Sequence, residues 1–103
     1  MIEIIKKSVR LNNYRFTVHA LERCIERSIS PENAKEAILS GEIIEEYPEN
    51  KYGYSCLILG TAENRQILHV QCSVNPIWII TAYNPTLNPE KWDKDFKKRR
   101  TKL

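Results

Sequence analysis

The segment TVHALERCIERS, residues 17–28, sets His19, Arg23 and Arg27 four residues apart. On a helix that spacing places one titratable imidazole and two fixed guanidinium charges along a single face. At about 100° per residue the stripe borders the apolar side, where Ala20, Leu21, Cys24 and Ile25 gather, and Glu22 and Glu26 take the far flank. A second group lies in RQILHVQCSV and WIITAYNP. Strand alternation puts Arg65, Ile67, His69 and Gln71 on one face, with Leu68, Val70 and Cys72 on the other. The next strand sets Ile77, Ile79, Thr81 and Tyr83 against Trp78, Ile80 and Ala82. If the two strands are neighbours, Arg65, His69, Gln71, Thr81 and Tyr83 converge.

Such a set offers a base or acid (His69), a phosphate clamp (Arg65) and a phenol that donates a proton or stacks on a base (Tyr83). The plainer reading is structural. In it, Arg23 and Arg27 pair with Glu26 or with sheet carboxylates, His19 bonds locally, and His69 is a satisfied histidine on a half-exposed sheet face.

The elements that must position these groups follow from periodicity. IEIIKKSVRL spaces Ile2, Ile5 and Val9 as a first helix ending at Asn12-Asn13. Tyr14 to Phe16 reads as a connector, Thr17 as the cap of a second helix ending near Ser28, and Ser30-Pro31 as the start of a third. Gly41 is placed for a left-handed helix stop. Four strand-like runs follow, EIIEEYP, YSCLILG, RQILHVQCSV and WIITAYNP. Their short links predict an antiparallel meander. The expected fold class is α+β: N-terminal helices on one face of an antiparallel four-stranded sheet, then a short C-terminal helix or tail after Pro89, docked by Trp92 and Phe96.

A length of 103 residues predicts one domain. It divides into an N-terminal helix (1–13), a core (14–96) and a basic tail (97–103). Residues 1–90 carry nine Lys/Arg against eleven Asp/Glu, whereas residues 91–103 carry seven against two. Positive charge therefore concentrates at the end, as Lys97, Lys98, Arg99 and Arg100, which points to nucleic acid or an acidic partner, or to a solvated terminus. Glu42, Glu45, Glu46 and Glu49 read as a solvated edge or as partners for the arginines. Three cysteines without paired spacing predict reduced, buried thiols in a cytoplasmic protein. No run has the length of a membrane span, no zinc spacing exists, and no glycine-rich phosphate loop occurs. Neither a metal nor a cofactor is expected.

FTVHALERCIERSIS, SGEIIEEYP, SCLILG, LHV, ITAYNP and W…DF…RR, in that order, resemble a widespread family of small prokaryotic domains that carries a domain-of-unknown-function label. The likeness runs from about Tyr14 to Arg100. Such domains are commonly compared with RelE/ParE-like toxins, including the BrnT and MqsR types, and members often sit beside a zinc-finger antitoxin-like protein. The resemblance implies a RelE-like fold. It also implies the toxin of a type II toxin–antitoxin pair, a metal-independent endoribonuclease acting on mRNA, whose partners are RNA and an antitoxin with a zinc-finger or DNA-binding domain. The alternative it allows is a non-catalytic member that blocks a protein target or serves in a regulatory complex. The family pattern matches His19, Arg23, Glu26, Arg27, His69 and Tyr83. For cleavage, His69 is the expected base or acid, with His19 as second candidate. Tyr83 is the acid or stacking platform, Arg23, Arg27 and Arg65 are phosphate clamps, and Lys97, Lys98, Arg99 and Arg100 hold RNA by charge.

Overall fold

The computed structural model describes residues 1–100. Helix α1 (Ile2–Arg10) leads into strand β1 (Arg15–Phe16), then helices α2 (Val18–Glu26) and α3 (Pro31–Ser40). Strands β2 (Glu42–Asn50), β3 (Gly53–Thr61), β4 (Ile67–Ser73) and β5 (Trp78–Tyr83) complete the sheet. The α+β class and the helices-first order match expectation. The sheet does not: it has five strands in the order β1-β5-β4-β3-β2, and β1 runs parallel to β5. The segment expected to be a connector is thus an edge strand, too short to show a period.

Local chemistry accounts for the helix starts. Thr17 and Ser30 accept from the backbone N–H groups of Ala20 and Asn33, and Pro31 stands where no N–H is needed. Gly41, however, is extended (φ −96°, ψ 179°) and is no left-handed stop. Its lack of a side chain serves close packing: a Cβ there would lie 2.5 Å from Ile58 Cγ2. Gly60 is tighter still, because its Cβ would fall 1.8 Å from the Ala37 carbonyl oxygen of α3.

The helices cover one sheet face. Ile5, Val9, Ala20, Cys24, Ala34, Ala37 and Ile38 bury against Ile58, Leu68, Val70, Cys72, Ile79 and Ala82. Leu68, Val70 and Cys72 therefore face the helices as expected, and the free thiols of Cys24, Cys56 and Cys72 are all buried. On α2 the buried side is narrower than expected. Leu21 and Ile25 are exposed, Ile25 at 78%. The helix is rolled so that Ala20 and Cys24 point at the sheet and the histidine–arginine stripe lies closer to it.

Two register shifts decide what shows on the opposite face. Between β2 and β3, Ile43 pairs with Ile58 but Glu45 with Leu57, so Ile44 is an extra residue. Between β4 and β5, Gln71 pairs with Thr81 but Cys72 with Ile79, so Ile80 is extra. Each bulge swaps the inward and outward faces of its strand. Without the second, Ile79 and Tyr83 would share a side, as simple alternation predicts. With it, Ile79 joins the core, whereas Thr81 and Tyr83 stand beside Gln71 and His69 on the far face.

That far face is covered by the C-terminal segment. In place of the expected helix there are single 3-10 turns at Pro85–Leu87 and Pro89–Lys91. A small hairpin follows, in which Trp92 bridges Arg99 and the Asp93 N–H donates to the Lys98 carbonyl at 2.8 Å. Trp92 is 3% exposed, Phe96 half-buried. Residues 101–103 of the expected basic tail lie outside the described residues. No described helix is long and apolar enough to cross a membrane.

Candidate functional site

His69 lies at the middle of the far face and is fully buried. Its row across the sheet runs Glu42, Leu59, His69, Tyr83, and the next runs Glu45, Leu57, Gln71, Thr81. His69 Nε2 is 2.8 Å from the Phe96 carbonyl oxygen, and Nδ1 is 3.2 Å from the Tyr83 hydroxyl. A carbonyl only accepts, so Nε2 carries the proton, which leaves Nδ1 to accept from the Tyr83 phenol. The Trp92 ring meets the imidazole edge-on at 4.3 Å between centroids. Burial pulls the His69 pKa below its ordinary 6.5, against the opposing pull of the Phe96 carbonyl and Glu45. Burial likewise raises the Tyr83 phenol. Near neutral pH the pair is a neutral imidazole and an intact phenol.

Beside Tyr83 opens a pocket of about 410 Å³, lined by Arg27, Tyr83, Asn88, Lys91, Trp92 and Arg99 among others. Arg27 enters it from the end of α2. Its Nη1 donates to the Ala82 carbonyl at 2.9 Å and lies 3.4 Å from Thr81 Oγ1. This bond continues a ladder. The Arg15 and Thr17 N–H groups donate to the Ile77 and Ile79 carbonyls, and once β1 ends, the Arg27 side chain takes the next carbonyl on that edge. Arg99 enters from the hairpin, stacked 4.7 Å above the Trp92 ring. Its Nε and Nη2 reach the Glu45 carboxylate at 2.8 and 3.1 Å. Burial alone would raise Glu45, yet the Arg99 and Tyr47 hydrogen bonds hold its carboxyl below the ordinary value. Burial and, after it, the hydrogen bond to Glu45 push the Tyr47 phenol up to about 12, against the opposing pull of Arg99.

The expected convergence is therefore partial. His69, Tyr83, Gln71 and Thr81 come together, and Arg27 and Arg99 join them. His19 and Arg23 do not. His19 is exposed, Arg23 Nε points to His19 Nε2 at 3.4 Å, and Arg23 pairs with Glu26 at 2.9 Å. Arg65 is displaced because β4 starts only at Ile67. It sits exposed in the preceding turn at φ 73°. The tail cations also divide. Lys97 pairs with Glu42 at 2.9 Å, and Arg100 Nε donates to the Trp92 carbonyl at 2.6 Å. Lys98 is exposed, with its carbonyl inside the hairpin. The acidic strand thus receives two tail cations, one of the two roles expected for it. Lys91 and Asn88, unremarked in the sequence, line the pocket. The only signal for Lys91 was the excess of positive charge after residue 90.

The arrangement offers an anion a cluster of three cations around a phenol whose proton has a waiting acceptor. Among the described residues no group of His, Cys, Asp and Glu is arranged to hold a metal.

Residues 16–84 match the family model described as Domain of unknown function (DUF4258). The chain belongs to this family. The DUF4258 span holds α2, α3 and β2 to β5 with the second residue of β1, and with them Arg27, His69 and Tyr83. Helix α1 and the hairpin that supplies Lys91, Trp92 and Arg99 lie outside it. No curated protein and no solved structure matches the chain.

Proposed function

We propose that this DUF4258 protein is an RNA-cleaving toxin of the RelE/ParE-like kind, neutralised by an antitoxin, and that it needs no metal. The observation that carries the reading is Tyr83. Its hydroxyl is hydrogen-bonded to His69 Nδ1 at 3.2 Å and borders the pocket shared by Arg27, Lys91 and Arg99.

Cleavage of RNA through its own 2′-hydroxyl transfers one proton from that hydroxyl and delivers one to the departing 5′-oxygen, leaving a cyclic phosphate. In the proposed site the scissile phosphate lies among the three cations, which offset the charge gathering on its oxygens. Tyr83 Oη takes the 2′-hydroxyl proton as its own proton passes to His69 Nδ1. His69 is buried and reaches no substrate itself. It acts through Tyr83, becoming an imidazolium that the Phe96 carbonyl and Glu45 favour. Lys91 donates to the 5′-oxygen. His69 then returns its extra proton through Tyr83 Oη, which borders the pocket, to solvent, and solvent reprotonates Lys91. Positioned acid–base groups of this kind contribute about 10²–10⁴ in rate.

The test is purified protein incubated with single-stranded RNA, alone and on translating ribosomes. Cleavage that Tyr83→Phe and His69→Gln both suppress about a hundredfold or more, with binding retained, supports the reading. Intact RNA under both conditions removes it. One observation favours a second reading: both nitrogens of His69 already have intramolecular partners. A non-catalytic protein that occupies a target would cause growth arrest on induced expression that survives both substitutions.

A further inference from the structure

A larger cavity, about 770 Å³, lies at the opposite end of β5, between α1 and the β4–β5 turn. Its volume falls within the range of ligand sites, about 300–1,000 Å³. Ile4 and Ile77 give it an apolar lining, and two half-buried aromatic residues, Tyr14 and Trp78, stand at it. Arg15 also lines it. Arg15 is exposed, its Cα pairs in register with that of Trp78, and its guanidinium has no hydrogen-bond or ion-pair partner among the described residues. Aromatic surface, an apolar bed and an uncommitted cation side by side suit a planar ring joined to an anion, which is the chemistry of a nucleotide.

We infer that this cavity is a base-stacking subsite for single-stranded RNA, with one base against Trp78 and Tyr14 and its phosphate at Arg15. The choice of RNA rests on the function proposed above. Trp78 and Tyr83 are five residues apart on one strand, on the order of 16 Å at strand rise. A single strand a few nucleotides long spans that distance, so the cavity holds the chain to one side of the cleaved bond. Stacking tolerates any base, and the cavity therefore adds affinity with little sequence preference.

The experiment uses the full chain and a fluorescent hexa-adenylate whose 2′-hydroxyls are methylated, so that binding is read without cleavage. Trp78→Leu is expected to weaken binding about tenfold or more, the usual cost of losing a stacked base. Arg15→Gln, at an exposed edge position that leaves the fold intact, is expected to weaken it and to lower the salt slope by about one. Binding unchanged in both variants, while Arg27→Gln with Arg99→Gln weakens it, overturns the subsite and leaves the proposed function standing. Binding weakened in both, with RNA cleavage indifferent to Tyr83→Phe, upholds the subsite and removes the catalytic reading. No binding by the unaltered chain overturns the subsite.

Discussion

The two faces of the sheet are built on different principles. The helix face is apolar and closely packed; its interior is Ile58, Leu68, Val70, Ile79 and Ala82, and α3 lies so near β3 that only glycine fits at position 60. The far face carries Glu42, Glu45, His69, Gln71 and Tyr83, and its cover is a short hairpin held by hydrogen bonds, ion pairs and one indole. Apolar packing over a wide area gives global stability. A polar face under a small cover is held by fewer apolar contacts, and such a cover is expected to open locally before the rest of the chain unfolds.

Substitutions can break or sharpen that contrast. The largest effect is expected on the helix face. Gly60→Ala drives a methyl into the Ala37 carbonyl and should cost about 3 kcal/mol of global stability in urea denaturation. A variant as stable as the parent would mean that α3 is free to slide. On the far face, Trp92→Ala removes a large buried side chain, but its effect should be local. The hairpin amides should exchange with solvent at least tenfold faster while those of Leu68 and Val70 keep their protection. Uniform acceleration would show one cooperative unit.

Acidity should separate the faces more gently. The His69 pKa is depressed by burial, so the folded chain binds that proton less readily than the unfolded chain. Its contribution is present above the ordinary 6.5 and is lost as pH falls through that value toward the folded one. The urea midpoint should therefore drop between about pH 7.5 and pH 5.5, a range above the titration of Glu45, and His69→Gln should flatten the drop. The smallest effect belongs to Lys97→Ala. The Lys97–Glu42 pair is half-exposed on both sides, and screened pairs of this sort contribute little. The thermal midpoint should stay within the error of measurement. A clear decrease would show that the ion pairs, more than Trp92, fasten the hairpin.

The two faces were also unequally legible. Leu68, Val70 and Cys72 declared the helix face because a dry face demands uninterrupted apolar alternation. Thr17, Ser30 and Pro31 declared the helix starts through capping chemistry that acts within three residues. The far face depended on features without a local signature. The extra residues of both bulges are isoleucines, Ile44 and Ile80, ordinary strand formers that give no sign of a change in parity. Two-residue β1 is set by its partner and not by its own pattern. His69 and Tyr83 were still found, since each counts correctly from its neighbours, but Arg65 was lost to a turn, and Arg23 to contacts with His19 and Glu26 on its own helix that leave His19 exposed. The positive run after residue 90 could be read as a contact for nucleic acid or an acidic partner or as a solvated terminus, because its carboxylate partners lie about fifty residues earlier in the chain.

The bond from Arg27 to the Ala82 carbonyl has a consequence for how these molecules behave in a crowd. A two-residue strand cannot shield the whole border of β5, and bare backbone along a sheet border invites a strand from a neighbouring molecule. A charged side chain of α2 occupies the acceptor that such a strand would need next. Arg27 thereby makes the border a poor template for self-association, and its replacement by a shorter neutral residue should appear first as turbidity on concentration, before any loss of fold.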